Sequence, residues 1–191
     1  MRRLSHTAVS ESGAAWWRTR VAFTAKVNGK RALWIANAAD GSNAKPIASD
    51  PQWDFYNPSW SADGTRLTFY SDAGDHKDQI WTVNPDGTNL RRVTDGRFHN
   101  TFPSWSPKGN RLLYTQETEA SEKRTGQLIS IAADGSDAQV LATDSVFLGI
   151  WSPKGNRIAY TRFDSTNVGA GFQTELVIVD ADGKNRRVIH H

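Results

Sequence analysis

The sequence predicts an all-β protein, a β-propeller of four four-stranded repeats, and three observations carry that prediction. A tryptophan recurs at Trp60, Trp105 and Trp151, at spacings of 45 and 46 residues. An Asp-Gly turn recurs in step with it, and short apolar runs lie between the turns. A period in the forties with four short strands per repeat is typical of propeller blades. The turn glycines are Gly41, Gly87, Gly135 and Gly183.

Each repeat is expected to contain four strands in a fixed order. The first ends in Trp-Ser and leads into a turn such as Ser-Pro-Lys-Gly, which fits a type I turn closed by a left-handed glycine. Aromatic and β-branched runs separated by Gly, Pro and Asp then predict the remaining strands. The second strands are predicted at 20–26, 66–71, 111–116 and 157–162, the third at 79–83, 127–131 and 175–179, and the fourth at 91–94, 139–142 and 186–189.

The third strands indicate that sheets stack face to face. The runs Leu-Ile-Ser-Ile and Leu-Val-Ile-Val are apolar at consecutive positions, whereas a sheet with one wet face alternates apolar with polar residues. We therefore expect both faces of each sheet to be covered by its neighbours.

The first repeat is expected to be incomplete, because residues 10–15 supply neither the proline nor the Trp-Ser of the opening strand. The predicted organisation is an N-terminal extension at 1–15 and one propeller domain at 16–191. Its blades are placed at roughly 16–50, 51–96, 97–144 and 145–191.

The repeat Pro-x-Trp-Ser-x-x-Gly-x-Arg-hydrophobic, followed by a strand, Asp-Gly and a short strand, resembles the TolB-like (WD-like) β-propeller repeat family over residues 18–189. The resemblance implies a bacterial, six-bladed propeller. The four repeats of this chain therefore predict an open or truncated propeller whose ends could pair with another chain. The same repeat occurs in propeller domains of prolyl-oligopeptidase-type peptidases and of some polysaccharide lyases, so it indicates a fold more than an activity.

Composition excludes several classes of function. Lys plus Arg number 23 against 20 Asp plus Glu, and the cations are scattered through turns and strand ends, so no nucleic-acid partner is expected. The absence of cysteine excludes disulfides and thiolate chemistry. Neither a signal peptide nor a membrane span is predicted, so no membrane insertion is expected. Localisation stays open: periplasmic by the resemblance, with cytoplasmic as the alternative.

No catalytic machinery, cofactor or metal site is predicted. The sequence has no Gly-x-Ser-x-Gly elbow and no zinc-binding histidine pair. The run Asp-Ala-Asp-Gly at 180–183 begins like a calcium loop, but it recurs as a hairpin turn and lacks the downstream glutamate. The protein is therefore predicted not to be an enzyme.

The loop-rich face is the predicted site, because binding residues usually lie on loops held by a rigid scaffold. Aromatic residues and arginine are frequent anchors of protein interfaces, and both occur in the crossings between blades. The predicted partner-binding residues are Trp53, Phe55, Tyr56, Arg97, Phe98, His99 and Phe147. The competing interpretation is that these rings fill gaps between blades.

The predicted function is a non-catalytic scaffold that binds another protein. Two alternatives stay open: the propeller fragment of a prolyl-oligopeptidase-type peptidase, and a carbohydrate-binding or lyase propeller.

Overall fold

The computed structural model describes residues 11–74, 76–120, 123–164 and 173–190, and within these ranges the regular structure is entirely β. Sixteen strands in the described ranges form four antiparallel four-stranded sheets. The chain divides into two compact units, Met1–Gly96 and Arg97–His191, with two sheets in each. The all-β, four-stranded repeat architecture is therefore confirmed. No helix in the described ranges is long and apolar enough to span a membrane.

The N-terminal unit contains sheets 1 and 2, and in both the spatial order of strands follows the chain. Sheet 1 consists of β1 (Glu11–Trp17), β2 (Arg20–Val27), β3 (Lys30–Asn37) and β4 (Lys45–Ala48). Sheet 2 consists of β5 (Phe55–Trp60), β6 (Leu67–Ser71), β7 (Gln79–Val83) and β8 (Arg91–Arg92).

The C-terminal unit contains sheets 3 and 4 with the same consecutive order. Sheet 3 consists of β9 (His99–Trp105), β10 (Arg111–Ala120), β11 (Lys123–Ala132) and β12 (Gln139–Ala142). Sheet 4 consists of β13 (Val146–Trp151), β14 (Arg157–Asp164), β15 (Gln173–Asp180) and β16 (Arg187–His190).

The expectation of an incomplete first blade is wrong, because β1 completes sheet 1. Trp16 lies opposite Val21 on β2, as Trp60 lies opposite Leu67 in sheet 2. Trp16 therefore occupies the repeat tryptophan position, 44 residues before Trp60. The sequence pattern missed it because only Arg18 and Thr19 connect the strands, in place of the Ser-x-x-Gly turn. The predicted extension at 1–15 is corrected accordingly: 11–15 belong to β1, and 1–10 lie outside the described residues.

A second difference concerns the hairpin between β10 and β11. The predicted strands end at 116 and begin at 127, which leaves 117–126 as a connection, but the pairing continues from Glu117 opposite Gly126 to Ala120 opposite Lys123. The segment is rich in Thr and Glu, and its strand pairing is fixed by the register of the preceding residues rather than by a strong hydrophobic pattern.

The predicted turn chemistry is present. The Gly109 amide donates to the Ser106 carbonyl at 2.8 Å, and the Gly155 amide donates to the Ser152 carbonyl at 2.8 Å. Gly109 has φ of 77°, the left-handed value that only glycine adopts without strain. These closures fix where the second strand of each blade begins.

Sheets pack face to face within each unit, and the repeat tryptophan takes part in both contacts. In the N-terminal unit Trp60 packs against sheet 1, and its indole N–H donates to the Ala15 carbonyl at 3.1 Å. In the C-terminal unit Trp151 makes the equivalent bond to the Ser104 carbonyl at 3.3 Å. Ala15 and Ser104 each precede the tryptophan position of their own sheet. The repeat tryptophan thus packs between two sheets at both positions.

Arg20 adds a polar contact to the sheet 1–sheet 2 packing. Its guanidinium carbon lies 4.5 Å from the Trp17 ring centroid and 4.7 Å from that of Trp60, and Nη2 donates to the Gly64 carbonyl at 3.0 Å. Arg111, at the equivalent position in sheet 3, instead donates from Nη1 to Asp137 Oδ2 at 2.7 Å. Both arginines, at the first position of the second strand, therefore brace a turn.

The expectation that both faces of every sheet are covered is wrong for sheet 4. On β15 Val177 and Val179 are buried against sheet 3, but Leu176 on the opposite face is exposed.

Substitution of Gly126 tests the close approach of sheets 3 and 4. A Cβ at Gly126 would overlap the Val146 carbonyl oxygen. Because that oxygen belongs to the backbone, it cannot move aside by a change of side-chain rotamer. We expect Gly126→Ala to lower the free energy of unfolding by about 3 kcal/mol, the upper end of the cost of overpacking. The measurement is urea denaturation followed by tryptophan fluorescence.

The control is Gly109→Ala, which has open space around its Cβ and only the strain of a positive φ, about 1–2 kcal/mol. Equal losses in the two variants would contradict the close approach.

Candidate protein-binding surfaces

An aromatic and charged cluster surrounds the crossing from β4 to β5 in the N-terminal unit; we call it the Trp53 cluster. Trp53 contacts His76 edge to face, with ring centroids 5.3 Å apart. Tyr56 on β5 stacks on Tyr70, its cross-strand neighbour on β6, at 5.1 Å. Directly opposed residues of neighbouring strands share a face, so the strand register itself brings the tyrosines together.

Charged groups hold the Trp53 cluster in place. Asp54 accepts the Arg31 backbone N–H at 2.6 Å and pairs with Lys30 Nζ at 3.4 Å. The Arg31 guanidinium lies 5.4 Å from the Tyr56 ring centroid. Burial, followed by the nearby Asp54 carboxylate, raises the pKa of Tyr56 above its usual value. The Tyr56 hydroxyl therefore stays neutral at physiological pH.

Phe55 does not belong to any accessible surface. It is buried in the core of the N-terminal unit, with its ring centroid 5.3 Å from that of Phe69. It lies five residues before Trp60, and Val146, five before Trp151, is likewise in the core of its unit. The prediction of Phe55 as a partner contact is therefore corrected: the alternation of β5 turns it inward while Tyr56 turns outward.

Three phenylalanines form an exposed cluster in the C-terminal unit; we call it the Phe147 cluster. Phe147 is 47% exposed, and its ring centroid lies 5.3 Å from that of Phe102 and 5.8 Å from that of Phe163. Thr115 Oγ1 donates to the Phe147 carbonyl at 3.1 Å. The rings are therefore carried on paired strands and not on free loops.

Phe102 adopts an unusual backbone conformation. Its φ is 53°, in the left-handed region that bulky side chains rarely occupy. It lies in the register irregularity of β9, where Thr101 and Ser104 pair with residues two apart on β10. Asn57, at the same repeat position, has φ of 47°, and asparagine tolerates that value better.

An ion-pair network lies close in sequence to the Phe147 cluster. Asp144 Oδ2 accepts from Arg162 Nη1 at 3.1 Å and from Arg186 Nη2 at 2.6 Å, and Arg162 Nε donates to Glu175 at 2.6 Å. The Tyr160 hydroxyl donates to Asp144 Oδ1 at 3.3 Å. Burial, with the neighbouring Asp144 carboxylate, raises the pKa of Tyr160 to about 12. The network fastens the crossing between β12 and β13 to sheet 4.

The remaining predicted contacts precede or open β9. Arg97 and Phe98 are exposed and His99 is half-buried. Asn100 Nδ2 donates to the Phe98 carbonyl at 2.9 Å, which orders this segment. The sequence analysis missed Phe102, Phe163, Tyr70 and His76. Phe102 could have been found from its place beside the proline of the repeat.

No group of three or more potential metal-ligating side chains occurs in the described ranges. The turn at 180–183 is a hairpin closure, with the Gly183 amide donating to the Asp180 carbonyl at 2.9 Å.

Comparison with known proteins gives a family match over most of the chain. The family described as TolB beta propeller domain matches residues 12–191. A protein TolB homolog of Chlorobium luteolum is 36% identical over 96 residues, which are 50% of this chain and 21% of that protein. An uncharacterized peptidase, YuxL of Bacillus subtilis, is 36% identical over 59 residues, 31% of this chain and 9% of that protein.

Among solved structures, TolB from Acinetobacter baumannii superposes with a TM-score of 0.77 at 18% identity. The similarity covers 94% of this chain and 43% of that one. The matched regions thus span well under two thirds of these proteins, and at this identity the structural likeness concerns the fold.

The raised pKa of Tyr160 gives a pH-dependent prediction. Because the folded state holds the phenolic proton to about pH 12 and an unfolded tyrosine loses it near pH 10, stability is lost as pH rises between these values. We expect the free energy of unfolding of the wild type to fall more steeply across this window than that of Tyr160→Phe. Urea denaturation at pH 8, 10 and 11.5, roughly spanning the two pKa values, measures this. Parallel pH dependence of the two proteins would contradict the assignment.

Proposed function

Because the chain belongs to the TolB β-propeller family, we propose that it is a non-catalytic scaffold that binds a partner protein through exposed aromatic side chains. The Phe147 cluster is the principal contact surface in this proposal. The partner would supply apolar side chains that cover the rings.

The observation that carries the proposal is the combination of exposure and backbone strain at the Phe147 cluster. Large exposed aromatics on a rigid support lose little conformational freedom on binding and are frequent interface anchors. A bulky residue at positive φ, such as Phe102, costs stability on the order of 1–3 kcal/mol, and such outliers concentrate at functional positions. The bulge of the first strand makes the same position left-handed at Gly13 and Asn57 in sheets 1 and 2, so the fold sets this backbone, and of the three residues phenylalanine is the least suited to it.

The other predicted residues supply further candidate contacts, separately in each unit. In the N-terminal unit Trp53 and Tyr56 are half-buried members of the Trp53 cluster, backed by Arg31 and Asp54. In the C-terminal unit Arg97 and Phe98 add a cation and a further exposed ring.

A second candidate function is the propeller of a peptidase, favoured by the similarity to the peptidase YuxL. In that case the partner would be a hydrolase domain, and the same aromatic residues would position it. The two candidates differ in the identity of the partner.

Truncation of the Phe147 cluster tests the proposal. We expect Phe147→Ala/Phe163→Ala to weaken partner capture at least tenfold, because losing interface anchors typically costs about 2 kcal/mol or more. The measurement is quantitative affinity capture from cells that express the chain, followed by mass spectrometry and titration of the purified partner.

The matched control is Leu90→Ala, which removes an equally exposed apolar side chain from the turn before β8. Capture of the same partner by wild type and control, but not by the double variant, supports the proposal. Equal binding by all three proteins would rule out the Phe147 cluster. A captured α/β-hydrolase would favour the second candidate.

A further inference from the structure

Sheet 4 exposes an apolar face on the side away from sheet 3. Ile150, Leu176 and Ile189 are 55%, 37% and 53% exposed. Ile150 is paired with Ala159, and Ala159 with Ile178, so these residues form a continuous row across three strands. We call the surface made by Ile150, Ala159, Leu176, Ile178 and Ile189 the outgoing face.

The same positions are already used for sheet packing inside the C-terminal unit. By strand register Leu128 in sheet 3 corresponds to Leu176, and Leu113 corresponds to Ala159. Leu128 and Leu113 have no exposed surface and lie in the core shared with sheet 4.

The N-terminal unit repeats this arrangement. Leu33 in sheet 1 occupies the position of Leu176, and Ile47 occupies that of Ile189. Both are buried in the core shared with sheet 2. The outgoing face of sheet 4 therefore has the same layout as the faces of sheets 1 and 3 that pack on a neighbouring sheet. At position 150 it carries isoleucine, where sheets 1 and 3 have Ala15 and Ser104.

On the complementary face of sheet 1, which lies away from sheet 2, Trp16 is exposed, Phe23 and Trp34 are half-buried and Val21 is buried. Trp16, Val21, Phe23 and Trp34 occupy the register positions that Trp60, Leu67, Phe69 and Trp81 hold in sheet 2. In sheet 2 these residues pack on sheet 1, and Trp60 is 7% exposed. Trp16 is 64% exposed. We call this second surface the incoming face.

We propose that the outgoing face of one copy of this chain binds the incoming face of a second copy, head to tail. Within each unit, the outgoing positions of the first sheet pack on the incoming positions of the second. The chain has one further outgoing face, on sheet 4, and one further incoming face, on sheet 1. The Trp16 indole N–H donates to the Arg18 carbonyl at 2.6 Å in the single chain, and in the complex it would exchange that bond for the Ile150 carbonyl, the acceptor equivalent to Ala15 for Trp60 and to Ser104 for Trp151.

The two surfaces differ from each other, so the contact is heterologous and each copy keeps one free face after pairing. These remaining faces either pair with each other and close a ring or bind further copies. The proposal does not depend on the Phe147 cluster, whose variants leave both faces intact.

Mixing two blocked variants tests the proposal. Ile150→Asp/Leu176→Asp places charge on the outgoing face, and Trp16→Asp places charge on the incoming face. Sedimentation equilibrium over roughly 1 µM to 1 mM protein covers the affinities of weak and moderate interfaces. We expect the wild type to gain mass with concentration and each variant alone to remain a monomer. An equimolar mixture should form a dimer and nothing larger, because it contains one intact pair of faces.

Leu90→Asp is the matched control, an added charge at an exposed apolar position outside both faces, and should associate like the wild type. Circular dichroism checks that all variants retain their β structure. A wild type that stays monomeric overturns the proposal. So does self-association of Trp16→Asp at wild-type strength, or a mixture that remains monomeric.

Discussion

Burial of one apolar sheet face on the next, at positions fixed by the repeat, is the constraint on which the other features depend. An isolated four-stranded sheet with apolar residues on both faces would expose both faces to water, which is unfavourable. Stacking removes one face of each sheet from solvent. In the C-terminal unit Leu128 and Leu113 pack against Gly149 and Val177. In the N-terminal unit Leu33 and Ile47 share a core with Leu67 and Phe69. The glycine at 149 is part of this fit, because a side chain there would occupy the space of Leu128.

This packing also determines where the aromatic clusters lie. In each unit the first strand of the second sheet lies beside the first sheet, so its outward residues are placed near the contact between the two sheets. Tyr56 and Phe147 occupy the same repeat position, four residues before Trp60 and Trp151. Their neighbours differ: Tyr56 stacks on a tyrosine near Arg31, whereas Phe147 contacts two other phenylalanines. One scaffold thus presents a polar aromatic surface in one unit and an apolar one in the other, and the Asp144 network steadies the latter.

The repeat period and turn chemistry were sufficient to predict the four sheets, and the third strand of sheet 2 and the fourth of sheet 3 agree with their predicted bounds. β1 was not predicted because its two-residue connection to β2 lacks the serine and glycine that mark the other blades.

The site was harder to predict. Phe55 and Tyr56 are adjacent and both aromatic, so both were predicted to contact a partner. The strand register shows that the Phe55 ring is buried and the Tyr56 ring is accessible. Phe102 meets Phe147 through the packing of sheet 3 on sheet 4, and Phe163 meets it through the pairing of β13 with β14, and no local pattern encodes either contact. The exposed face of sheet 4 has the same apolar pattern as a covered face. Such a pattern shows that a face is able to pack, but it does not show whether another sheet covers it.

A double-mutant cycle between Gly149 and Leu128 tests the sheet-on-sheet contact most directly. A Cβ at Gly149 would overlap the Leu128 side chain, and Leu128→Ala removes the atoms responsible. Each single variant should lose stability, by about 1–3 kcal/mol for Gly149→Ala and about 2–5 kcal/mol for Leu128→Ala. The double variant should lose at least about 1 kcal/mol less than the sum of the two, because the added methyl group occupies the vacated space. Losses that add within roughly 0.5 kcal/mol would mean that the two residues do not touch, and the stacking of sheet 4 on sheet 3 would be contradicted.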